Sequence, residues 1–188
     1  MSLTFAKWSL ADYHRLVATD LLADRAVELL AGDIVEMPPE GPEHAQLSTD
    51  TVDRLRQLLG DRALIRDGKP ITLPTLNSEP QPDLAIVQPQ RARYRQQHPQ
   101  PDDIFWLIEY TNTSLSKDRD VKRKLYAQAS IPAYWLVDLQ NRQVYDYREP
   151  QAGDYQQVEI LTTGAIALPH FPELRITVAQ LLTGEPSD

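Results

Sequence analysis

Three side chains stand in chain order with the chemistry of phosphate hydrolysis. Asp83 directly follows Pro82 at the start of "DLAIV", Glu109 interrupts the apolar run "IFWLIEYT", and Lys122 follows in a charged segment. Placed at like ends of neighbouring strands, Asp83 and Glu109 come within a few ångströms of each other. Two such anions repel, and one takes up a proton unless a cation lies between them. A divalent metal is the usual resolution, and hard oxygen ligands suit Mg²⁺ or Mn²⁺. The Tyr110 carbonyl offers a further oxygen. A metal there polarises a phosphoryl oxygen and acidifies a bound water. A nearby lysine orients that water or stabilises developing negative charge. The set suits hydrolysis of a phosphodiester.

The lysine is chosen by helical geometry. At about 100° per residue, Val121, Leu125 and Ala129 define an apolar face. Lys122 borders that face, whereas Lys124 points to solvent and is the fallback. Asp118, Lys122 and Tyr126 are spaced to form one row, so Asp118 and Tyr126 are placed to hold the lysine.

Several elements must position these groups. "WSLADYHRLVA" reads as a short helix capped by Ser9, and "AVELLAGDIVEM" as two short strands around Ala31-Gly32-Asp33. "PEHAQLSTDTVDRLRQLLG" reads as a helix ending at Gly60. "ALIRDGKPITL" reads as a hairpin turning at Asp67-Gly68, and "QPDLAIV" as a short strand. "QPQRARYRQQHPQPDD" is a polar, mobile loop. "IFWLIEYT" is apolar throughout, as in a central strand buried on both faces. "SLSKDRDVKRKLYAQAS" is a helix with Ser116 as its cap and Pro132 beyond its end. "AYWLVDLQNRQVYDYRE" is a hairpin around Gln140-Asn141, with Asp138 at the turn. The tail carries one or two short strands and a short final helix. From Pro42 the order is helix, three strands, helix, strand, so part of the sheet is parallel. The expected class is α/β or α+β: a mixed central sheet flanked by helices, in one domain over 1–188.

Composition narrows the function. The chain has 188 residues, long enough to bury a core, and 41% of them are hydrophobic. No apolar run is long enough to span a membrane, and the N-terminus lacks the pattern of a secretion signal. The absence of cysteine excludes disulfides and thiolate metal sites and fits the cytoplasm. A net charge of −8 disfavours non-specific nucleic-acid binding, which needs Lys and Arg. Any DNA contact must then use a local basic patch, such as Arg91, Arg93 and Arg95, or the lysines and arginines of 117–124. The plain reading of both groups is a solvated face.

The segments "QPDLAIV", "IEYTNTS" and "DRDVKRKLYAQASIPAYWLVD" resemble the Uma2 (DUF820) family, a group abundant in cyanobacteria and placed in the PD-(D/E)XK, restriction-endonuclease-like superfamily. The resemblance implies a metal-dependent nuclease core acting on DNA, with Asp83 and Glu109 at the motif's acidic positions. The motif's lysine, two residues after the glutamate, is replaced here by Thr111, and Lys122 fits a lysine moved to the helix. Asn112 and Thr113 replace a common Ser-Pro. His44 lies where the family often has a histidine. Glu43 is the nearest candidate for the auxiliary acid that this helix often supplies. Superfamily nucleases often cut two strands as dimers, so a homodimer is implied.

Other readings stay open at this point. Asp83 also suits a turn at a strand start, and Glu109 a buried salt bridge with Lys122 or an arginine. A non-catalytic module that keeps the fold is the rival, with Tyr145 and Tyr147 at a dimer interface. A two-carboxylate glycosidase ranks last, since no sugar-stacking aromatic lies near both acids.

Overall fold

A computed structural model describes residues 6–19, 21–112 and 117–184, with backbone alone at 117–119. Helix α1 (Leu10–Ala18) starts at Ser9, whose side chain accepts the Asp12 N–H; such a cap satisfies a donor that the first turn leaves open. Strands β1 (Val27–Leu30) and β2 (Asp33–Glu36) form an antiparallel hairpin. Its turn needs glycine at 32: φ is +80°, and a Cβ would sit 2.9 Å from the Lys7 Cβ. Helix α2 (Pro42–Leu59) opens on proline and buries Leu47, Val52, Leu55 and Leu59. Proline at the first position costs no hydrogen bond, because that N–H has no partner within the helix.

A six-stranded sheet follows in the order β3 (Leu64–Asp67), β4 (Leu84–Val87), β5 (Ile104–Thr111), β6 (Ala133–Asp138), β7 (Gln143–Gln151) and β8 (Asp154–Leu161). Strands β5 and β6 pair in parallel, and the other neighbours are antiparallel. The parallel step is bridged through a π-helical turn (Lys117–Lys122) that runs into α3 (Arg123–Gln128). A second small sheet pairs β9 (Ala165–Leu168) with β10 (Phe171–Thr177), and α4 (Val178–Thr183) closes the described chain.

Alternation along the strands builds two cores. Trp106, Ile108 and Tyr110 of β5 pack with Leu47, Val52, Leu55 and Leu181. On the other face, Leu107 packs with Leu125, Tyr126 and Tyr134. Strand β5 is therefore buried on both sides, as its apolar sequence requires. Among the described residues no helix is long and apolar enough to cross a membrane.

Four local expectations change. Strand β3 pairs with β4 rather than with 69–73, because Pro70 and Pro74 remove ladder donors; Ile71 and Leu73 are buried without forming a strand. The helix after β5 presents a shifted face: Val121 is 48% exposed and Lys122 is 3% exposed. A π-helical turn bonds i to i+5 and holds more residues than an α turn, so it shifts the phase of the stripe. The tail supplies three strands, one of them at the edge of the main sheet. The polar loop of 88–103 contains two 3₁₀ turns, tied by Arg93 to the buried Asp103 at 2.7 Å. The Ser116 cap lies outside the described residues.

Candidate functional site

Asp83 stands one residue ahead of β4, and its carbonyl accepts the Gly68 N–H at 2.7 Å. Leu84 lies opposite Ile108, so one further step of that register sets Asp83 beside Glu109, on the same face. Asp83 Oδ2 accepts the Tyr110 N–H at 2.6 Å and lies 2.9 Å from His44 Nε2. His44 reaches it from the first turn of α2.

Pro82 has a specific consequence here. Two steps of the register place it opposite Tyr110. The Tyr110 N–H points to the β4 edge, and its carbonyl points the same way, as both groups of one residue do across a ladder. Pro82 has no N–H to donate to that carbonyl. Pro82 therefore adds no rung to the β4–β5 ladder.

Glu109 is 3% exposed and sits on the α3 face. Its Oε1 accepts from Lys122 Nζ and from the Tyr126 hydroxyl, both at 2.8 Å. Lys122 Nζ also lies 3.3 Å from Glu28 Oε2, and that oxygen accepts the Gln81 N–H at 3.2 Å. The β1–β2 hairpin, the segment leading into β4, and the helix after β5 therefore meet at the Glu28 carboxylate. His44, Asp83, Glu109, Tyr110 and Lys122 border a cavity of about 280 Å³, which Glu40 also lines.

The expected residues separate in space. Asp83, Glu109, Tyr110, Lys122 and His44 share the cavity, and Tyr126 holds Glu109 from beneath. Lys124 is exposed. Glu43 turns away and pairs with Arg142 at 2.8 Å. One helical turn earlier in sequence, Glu40 takes the place by the cavity. The Asp118 side chain lies outside the described residues. Tyr145 and Tyr147 are buried and stacked 5.8 Å apart, so they belong to the core rather than to an exposed interface. Sequence reasoning missed Glu28 and Glu40. Glu28 carried the same signal as Glu109, a carboxylate inside an apolar strand ("VELL"), and it is fully buried.

Burial raises the Tyr126 phenol well above its ordinary pKa, and the adjacent Glu109 carboxylate adds to the shift. Tyr126 is therefore a neutral donor to Glu109. Burial likewise raises Tyr110, against a smaller opposing effect of its hydrogen bond to Thr51, and raises Tyr155. A raised folded-state pKa gives stability that is complete below the unfolded value, about 10, and lost as pH rises beyond it. The protein is expected to lose stability steeply above that pH. Denaturant titrations of wild type and Tyr126→Phe will test this: the variant should show a shallower alkaline decline. Parallel curves for the two proteins would refute the assignment.

Lys122 Nζ pairs with Glu28 and Glu109, and Glu40 and Asp83 line the same cavity as Glu109 and Lys122. The donor atoms of Glu40, His44 and Asp83 lie within 4.8 Å of one another. A mixed oxygen and nitrogen donor set of this kind fits a divalent cation.

The family model for Uma2, described as "Putative restriction endonuclease", matches residues 10–179. The chain belongs to the Uma2 family. The fold of this Uma2 chain is similar to a solved structure from Anabaena variabilis, described as a "putative nuclease belonging to DUF820". That match has a TM-score of 0.72 at 19% identity and covers 93% of this chain and 97% of that chain. Among curated proteins no match is found. In this Uma2 chain the central mixed sheet flanked by helices is the nuclease-like scaffold, and the acidic cavity lies at the end of β5 where Glu109 and Tyr110 emerge.

Proposed function

We propose that this chain is a divalent-metal-dependent endonuclease hydrolysing DNA phosphodiester bonds, built as a single restriction-endonuclease-like domain over residues 1–188. The observation that supports it most is the convergence of Asp83, Glu109 and Lys122 on one cavity. Asp83 and Glu109, with the Tyr110 carbonyl, would hold Mg²⁺ or Mn²⁺, and His44 and Glu40 are placed to complete the donor set. Such an ion neutralises phosphate charge and makes water a better acid. Lys122 Nζ carries a proton and a positive charge beside the scissile phosphate. It binds a non-bridging oxygen and orients the attacking water. Tyr126 fixes Glu109 by its hydroxyl, and the Tyr110 N–H fixes Asp83. Exposed Lys124, on the same helix, contacts the DNA backbone. Cutting both strands calls for a homodimer, and the family's cytoplasmic substrate would be duplex DNA.

Incubation of purified protein with supercoiled plasmid tests the reading. Nicked and linear products are expected with Mg²⁺ or Mn²⁺ and none with EDTA. Mn²⁺ should be the better activator, because imidazole is a softer donor than carboxylate. Supercoiled, linear and single-stranded DNA all left intact in both ions would count against it. One observation favours a non-catalytic module instead: Lys122 already forms a buried ion pair with Glu109. Calorimetry with Mn²⁺ separates the two readings, since the module predicts no binding.

A further inference from the structure

Lys122 stands between two buried carboxylates that differ in their relation to the cavity. Glu109 borders it. Glu28 is fully buried on β1, with Oε2 3.3 Å from Nζ, against 2.8 Å for Glu109 Oε1. The Gln81 N–H bond ties Glu28 to the segment that leads into Pro82 and Asp83.

This arrangement presents a conflict. The carboxylate that would hold a divalent cation already carries the lysine ammonium. Two cations close together on one buried carboxylate repel strongly, because the interior screens charge poorly. The ammonium cannot simply be expelled either, since a buried charge without a partner is costly.

We propose that Glu28 is a positioning residue that receives the Lys122 ammonium when a divalent cation engages Glu109. The inference rests on the metal-dependent reading above. In the metal-free protein the Lys122 ammonium contacts both carboxylates. With metal bound, each carboxylate keeps its own cation: Glu109 the metal, Glu28 the lysine. The two contact distances are so similar that a small swing of the lysine's flexible stem completes the exchange. Glu28 stays in place throughout, held by its backbone partner. Lys122 thus remains charged and next to the cavity instead of being driven away by the metal.

The test is a calorimetric double-mutant cycle with Mn²⁺ as the probe, using the full chain. The Glu28→Gln variant keeps an oxygen for the Gln81 N–H and removes only the charge. It is expected to weaken Mn²⁺ binding about 10-fold, an ordinary coupling between linked sites. Lys122→Met removes the competing ammonium and should bind Mn²⁺ more tightly than wild type. In that background Glu28→Gln should change affinity by no more than about 2-fold, since its effect passes through the lysine. The Glu28→Asp variant keeps the charge but shortens the side chain. It is expected to fall between wild type and the glutamine variant, and it carries the same test where the glutamine variant does not fold. An unchanged Kd in a folded Glu28→Gln protein would overturn the exchange and leave the metal site standing. A full-sized effect persisting without Lys122 would also overturn it, by showing that Glu28 acts directly on the metal. Failure of wild type to bind Mn²⁺ would overturn both this inference and the function on which it rests.

Discussion

Lys122→Met is expected to slow DNA cleavage by about 10²–10³-fold, the usual cost of losing one preorganised group that stabilises transition-state charge. It should do so while Mn²⁺ binding tightens. This opposite movement of affinity and rate separates the proposed role from a plain metal ligand, whose loss weakens both. The same variant tests the energetics of the metal-free core. The variant removes the ammonium that pairs with both Glu28 and Glu109, which are 0% and 3% exposed. Removing one member of a buried charge network costs about 3–5 kcal/mol. Urea unfolding of wild type and variant, with and without Mn²⁺, measures it. The deficit should shrink when Mn²⁺ is added, because the ion binds only the folded state and replaces the missing positive charge. Wild-type cleavage rates in the folded variant would remove Lys122 from the chemistry and restore it to a structural pair.

The second large effect is on the scaffold. Trp135→Ala is expected to destabilise the protein by about 3–5 kcal/mol, the range for truncating a buried aromatic residue. Trp135 is fully buried at the centre of β6. Its ring lies 5.9 Å from that of Trp106 on β5, and its Nε1 donates to Asp146 Oδ1 at 2.9 Å on β7. One residue therefore joins three adjacent strands, including the one that carries Glu109. Asp146 would keep Arg148, at 2.7 Å, so the loss comes mainly from the cavity left behind. For a domain of this size the expected shift is on the order of 10 °C in Tm, measurable by calorimetry or circular dichroism. A loss near 1 kcal/mol would show that the two tryptophan layers repack freely.

Much of the scaffold could be read from local patterns. The apolar run 104–111 announced a strand buried on both faces, and β5 is that strand. The helix between it and "AYWLVD" implied a parallel crossover, and β5 and β6 pair that way. Such features rest on periodicity and chain length, which are local properties. Where phase mattered, the reading slipped. Val121 was placed on the apolar face with Leu125 and Ala129, yet the π-helical turn buries Lys122 instead. No side-chain pattern in that stretch specified the extra residue per turn.

The candidate site divides along the same line. Asp83, Glu109 and Lys122 were legible because each breaks a pattern: an acid after proline, an acid in an apolar strand, a lysine beside an apolar stripe. All three border one cavity. Glu28 broke a pattern as well, but a four-residue strand gives no hint of the sheet face it will meet. Glu43 and Glu40 show the reverse case. Both are acids near the start of α2, and only the path of the chain into that helix decides which one borders His44 and which one pairs with Arg142. The sequence by itself determined the chemical inventory, the strand and helix order, and the carboxylates that a buried position would force to find a cation. Only the tertiary structure decided that one ammonium contacts two of those carboxylates, because that depends on where β1, more than ninety residues from Lys122 in the chain, comes to lie.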